Sequence, residues 1–143
     1  MTKKTGQKGI DLIKYFEGKY LKAYLCPANV WTIGYGHTGD VKSNDVITEK
    51  EAEDLLKADL KKFERQVCRE ITIDLNQNQF DALVSHTYNT GGSETLFSLI
   101  NKKAPINKIQ DWWENKYITG GGKVLPGLVK RRKAEFELFI EKI

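Results

Sequence analysis

Apolar residues first recur at helical spacing near the N-terminus. Ile10, Leu12, Ile13 and Phe16 share one face of residues 8–17, and Gly18 follows where a left-handed glycine stops a helix. Glu17 is thereby left at a helix end, beside a turn. From Tyr20 to Ile47 the pattern changes: aromatic and β-branched residues such as Tyr24, Val30, Trp31, Ile33 and Tyr35 alternate loosely with Pro, Asn, Gly and Asp, which predicts a small antiparallel sheet. Thr48 and Glu51 have the spacing of a capping box, and Ala52, Leu55, Leu56, Leu60, Phe63 and Val67 then hold one face to about Cys68. A helix of that length can form the spine between two lobes.

Further on, Phe80, Leu83, Val84, Thr87 and Tyr88 predict a helix that ends at Gly91-Gly92. ETLFSLINK and INKIQDWWENK read as two shorter helices, in which at least one of Trp112 and Trp113 belongs to the core. Residues 118–127 are rich in glycine and read as a flexible loop. A closing amphipathic helix follows, with Leu128, Phe136 and Phe139 inward. The layout is α+β in a single domain, 1–143: a small lobe over about 1–47, a connecting helix over 48–69 and an all-helical lobe over 70–143.

Composition narrows the class. At 143 residues, with 40% hydrophobic and 29% charged positions, the chain can bury a core without disulfides and is neither disordered nor fibrous. No apolar run approaches the roughly 18 residues of a membrane span, and the polar start is not a secretory signal. The expectation is a cytoplasmic product with no stable membrane insertion. Cys26 and Cys68 lack CxxC spacing, so neither a disulfide nor a zinc site is expected, and Cys68 reads as a small buried residue. The chain's two histidines, His37 and His86, make no metal-ligand motif, and no metal or cofactor is expected. A net charge of +4 suits polyanionic surroundings, whether nucleic acid, anionic lipid or a bacterial envelope. The run Lys130-Arg131-Arg132-Lys133 comes with no nucleic-acid motif and reads as a solvated face.

Candidate chemistry gathers in residues 17–40. Glu17, next to Tyr15, Phe16 and Tyr20, is a plausible general acid if those rings desolvate it. Cys26 follows nine residues later and Thr32 fifteen residues later. This Glu-x8-Cys-x5-Thr spacing resembles the phage-type lysozymes (endolysins, glycoside hydrolase family 24). The likeness extends to TIGYGHTGDV, DALVSHTYNTGG and LPGLVKRRKAE, in the family's order, over roughly residues 8–138.

The resemblance implies a lysozyme-like fold with a cleft between the lobes, and a muramidase that hydrolyses the β-1,4 bond between N-acetylmuramic acid and N-acetylglucosamine. Glu17 would protonate the leaving oxygen, and Thr32 would position a water or the second catalytic residue. Cys26 stands where aspartate is commoner; it would act as a base, giving inversion, or as a nucleophile, giving retention. Asp40 and Asp45 are substitute carboxylates or turn residues. Tyr88 and Asn89 suit sugar recognition, by stacking and by reading the acetamido group, and Tyr88 suits the core equally well. His37 is placed with Tyr88 and Asn89 among the substrate-binding residues, and its ring also reads as a structural group bonded to the turn backbone near Glu17. The implied partners are peptidoglycan strands and a membrane-perforating holin. The implied state is a monomer held in the cytoplasm until lysis. Alternatives are a wall-binding module that has lost hydrolysis, and a lytic transglycosylase.

Overall fold

The computed structural model describes residues 3–143. The order is α1 (Gln7–Glu17), β1 (Tyr20–Leu25), β2 (Trp31–Gly34), α2 (Glu49–Glu70), α3 (Gln77–Thr90), α4 (Glu94–Asn101), α5 (Ile106–Asn115), β3 (Thr119–Gly120), β4 (Lys123–Val124) and α6 (Pro126–Ile140). The α+β class is borne out. Two compact units form, one from Ile13–Lys61 and the other from the residues up to Leu12 with Lys62–Ile143.

In the smaller unit β1 and β2 pair antiparallel, with Tyr24 opposite Thr32 and Leu25 opposite Trp31. The segment before α2 returns along β1, where Ala23 N–H donates to Asp45 O and Ile47 N–H to Leu21 O. Gly34, at φ +67°, could not carry a side chain without strain, and a Cβ there would meet Ala52 Cα at 3.6 Å. The capping box forms as the spacing requires: Thr48 N–H donates to Glu51 Oε1 at 3.0 Å and Glu51 N–H to Thr48 Oγ1 at 3.1 Å. Ala52, Leu56 and Leu60 then bury one face of α2.

The larger unit is helical apart from β3 and β4. Asn76 and Gln79 cap α3 reciprocally, and Gly91, at φ +87°, ends it by donating its N–H to Thr87 O. Phe80, Leu83 and Val84 of α3, Leu96 and Phe97 of α4, and Trp113 of α5 are buried, as are Phe136 and Phe139 of α6. Trp113 lies 5.1 Å from Phe139 and 6.1 Å from Phe136, ring centre to ring centre.

Three expectations are corrected. Cys68 is exposed, because the buried face of α2 runs through Leu60, Glu64 and Val67 and leaves residue 68 one step around the helix. Residues 119–124 form a hairpin instead of a structureless loop, with Gly121 and Gly122 supplying the positive φ that its tight turn needs. Only half of the basic run is a solvated face: Lys130 and Lys133 are exposed, whereas Arg131 is 3% exposed and Arg132 fully buried.

Candidate active site

Glu17, Cys26, Thr32 and His37 fall in the smaller unit, and Tyr88 and Asn89 in the larger. Glu17 is the last residue of α1, half-buried, and Gly18 at φ +77° turns the chain directly after it. Tyr15 is 79% exposed and Tyr20 46%, so these two rings shield the carboxyl less than the sequence suggests. Tyr24, which the sequence reading passed over, ties the group together. Its ring packs at a tilt against Tyr20, 4.4 Å between ring centres, and its hydroxyl is harder to ionise than usual, first through burial and then through the charges of Tyr20, Cys26 and Glu17.

Cys26 directly follows β1 and opens a five-residue turn. Its N–H donates to Val30 O at 3.0 Å, its carbonyl accepts from Asn29 N–H at 2.8 Å, and Asn29 takes the left-handed conformation at φ +60°. The backbone N–H groups of Val30 and then Ala28 stabilise the sulfur anion, and the Thr32 side chain adds to them, so the thiol ionises below its ordinary range despite some desolvation. Thr32 is buried at 3% exposure, and its Oγ1 donates to Val30 O at 3.0 Å. A cysteine held in this way has more thiolate near neutral pH than a free thiol.

His37 engages Asp59 Oδ2 through Nδ1 at 2.7 Å and Gly39 O through Nε2 at 2.9 Å. Both partners are acceptors, so the two bonds coexist only when both nitrogens carry protons. Asp40 sits at φ +56° in the same turn, and Asp45 accepts the N–H of Lys42, which are the positions of turn residues.

In the larger unit Tyr88 is half-buried and meets Phe63 edge-on at 5.3 Å, while the Asn89 side chain is exposed on the last turn of α3. Beneath them lies a buried polar network. Glu135 accepts from Ser85 Oγ at 2.6 Å and from Trp113 Nε1 at 3.2 Å, and it pairs with Arg131 and Arg132. Arg132 also donates to Asn89 Oδ1. The Arg-Arg pair after Pro126-Gly127-Leu128 was the signal that could have drawn attention to Arg132.

The phage lysozyme family model matches residues 14–135. An endolysin of Acyrthosiphon pisum secondary endosymbiont phage 1 is 39% identical over 139 residues, 93% of this chain and 95% of its own. An endolysin of Bacillus phage B103 is 44% identical over 144 residues, and there the chain spans 53% of the relative's length. Among solved structures, the muramidase domain of SpmX from Asticaccaulis excentricus is similar, with a TM-score of 0.88, 32% identity, and coverage of 97% of this chain and 99% of that one.

Proposed function

The chain belongs to the phage lysozyme family, and from that premise we propose that it is a peptidoglycan muramidase serving phage lysis of the host. The observation that carries this reading is the turn of residues 26–30, which with the Thr32 side chain stabilises the Cys26 sulfur anion, beside Tyr24, whose hydroxyl feels the charges of both Cys26 and Glu17. Glu17 donates its proton to the glycosidic oxygen between N-acetylmuramic acid and N-acetylglucosamine as that bond breaks. The Cys26 thiolate takes a proton from a water held by Thr32, and the resulting hydroxide attacks the anomeric carbon from the other side, with inversion. Thr32 has one hydroxyl proton, so ionisation of Cys26 draws it from Val30 O to the sulfur and leaves a lone pair for that water. Tyr88 and Asn89 contact the sugars, and His37 fixes the turn through Asp59 and Gly39.

Among the described residues no helix is long and apolar enough to cross a membrane. In this reading the enzyme, a monomer, waits in the host cytoplasm, reaches the wall once a holin perforates the membrane, and is drawn to its anionic polymers by a net charge of +4. The test is digestion of purified peptidoglycan by the wild type, Glu17→Gln and Cys26→Ser. Wild-type enzyme should release reducing muramic ends, and Glu17→Gln should lose about a thousandfold in kcat, the scale of a lost general acid. An α-anomer appearing first by proton NMR supports Cys26 as base, and a β-anomer makes it the nucleophile. Anhydromuramic ends, lighter by one water, would instead identify a transglycosylase.

A further inference from the structure

Tyr24 sits where both acids of the candidate site act on it. It pairs across the hairpin with Thr32, so the two side chains leave the same face. The ladder continues one step past β1 through Cys26 N–H to Val30 O, and Cys26, two residues on from Tyr24, joins that face. A register shift between Tyr20 and Tyr24 bends β1, and the Tyr20 ring lies 4.4 Å from that of Tyr24. With Tyr20 beside it and Thr32 opposite it on β2, the half-buried ring is confined. Other charged groups nearby are engaged or turned to solvent. Residues 27–34 carry no titratable side chain, and Lys22 of β1 is exposed. Lys14 of α1 is paired with Glu53 of α2, and Asp45, in the segment returning along β1, accepts Lys42 N–H. Of the titratable groups that act on Tyr24, namely Tyr20, Cys26 and Glu17, only the last two have to exchange a proton in the proposed reaction.

We propose that Glu17 and Cys26 hold one proton between them through Tyr24, whose hydroxyl accepts from whichever of the two is protonated and donates to whichever is ionised. A phenol has one proton and lone pairs beside it, so it serves both neighbours while one proton is shared. When both are ionised, its single proton satisfies only one of them; when both are protonated, its own proton has no anion to meet. The one-proton state, in which an acid and a base coexist, is thereby favoured over a wide pH range. The proposal rests on the reading of Glu17 as acid and Cys26 as base. Each turnover in that reading leaves Glu17 ionised and Cys26 protonated. The thiol S–H then breaks to give its proton to the Tyr24 oxygen as the phenol O–H breaks to give its own to the Glu17 carboxylate, which restores both groups and leaves Tyr24 unchanged.

The test is Tyr24→Phe, which keeps the ring beside Tyr20 and should fold, as thermal melting checks. Two readouts are taken in a Cys68→Ser background. The alkaline inflection of Cys26 alkylation by iodoacetamide, where the last shared proton leaves, should move down by about one pH unit, the scale of one hydrogen bond at a charged group. With Glu17→Gln also present, the same substitution should move it up or not at all, because Tyr24 there donates to the sulfur alone. On purified peptidoglycan the pH profile of kcat/KM should narrow from both sides, with kcat about tenfold lower at the optimum and KM within about twofold. A change that only loosened packing would lower the profile without narrowing it. An unmoved alkylation inflection, the same downward shift with and without Glu17, or a profile of unchanged width overturns the proposal, and an unchanged kcat overturns the return of the proton through Tyr24. A wild type that releases no sugar ends from any wall overturns the muramidase reading, whereas the alkylation readout still decides whether the two groups share a proton.

Discussion

In the smaller unit the sulfur of Cys26 is stabilised by the backbone N–H groups of a five-residue turn and stays partly open to solvent. In the larger unit the carboxylate of Glu135 is held by the side chains of Ser85, Trp113, Arg131 and Arg132 and has no exposure at all. A turn supplies donors without filling the space in front of the anion, so the group remains available to a substrate and can exchange protons. Four converging side chains close that space, and the anion becomes a structural fixture. In the proposed mechanism, chemistry is therefore placed where backbone does the holding, and rigidity where side chains do.

Removing the closed anion should have the largest effect. Glu135→Ala leaves Arg131 and Arg132 buried without their counter-charge and should cost about 3–5 kcal/mol in urea unfolding. A loss below about 1 kcal/mol would mean that the network does not anchor α6. Next comes the neighbouring His86, which burial first, and then the charges of Arg132 and Arg131, push down to about 3 from 6.5. The folded pKa lies below the unfolded one, so the unfolded chain takes up a proton that the folded chain refuses. Stability contributed by neutral His86 is fully present above pH 6.5 and is lost as the pH falls towards 3, by at most about 1.4 kcal/mol per pH unit. His86→Gln should flatten that limb of the stability-against-pH curve, and a parallel curve would remove His86 as its source.

The smallest effect concerns the open anion. In a Cys68→Ser background, the iodoacetamide alkylation rate of Cys26 should show its inflection below that of the same thiol in urea, where the turn is gone. Coincident inflections would make the two regions alike. Thr32→Val, which removes one of the stabilising donors, should move the native inflection part of the way up.

Legibility in the sequence follows the same division. The Thr48–Glu51 box was readable because its partners are three residues apart, and Gly18 and Gly91 announced their helix ends for the same reason. The spacing of Glu17, Cys26 and Thr32 was likewise visible along one short stretch. Hidden from the letters was what holds Cys26, since the N–H groups of Ala28 and Val30 belong to every residue type but proline and act only once the turn exists. The burial of Arg131 and Arg132 was hidden too: a Lys-Arg-Arg-Lys run looks solvated until α3 brings Ser85 and Asn89 to it from more than forty residues away. Cys68 was misplaced by a single step of helical rotation, which propensity does not resolve.

The two cations that neutralise Glu135 are its own neighbours on α6, three and four residues before it. Such pairs assemble as soon as the helix winds, on the time scale of local structure formation and without waiting for any tertiary partner. When α6 docks, it brings to the interior a preassembled cluster with one net positive charge instead of three separate ions, so the desolvation that docking requires is offset in part by pairs already in place, with no search for a distant counter-ion.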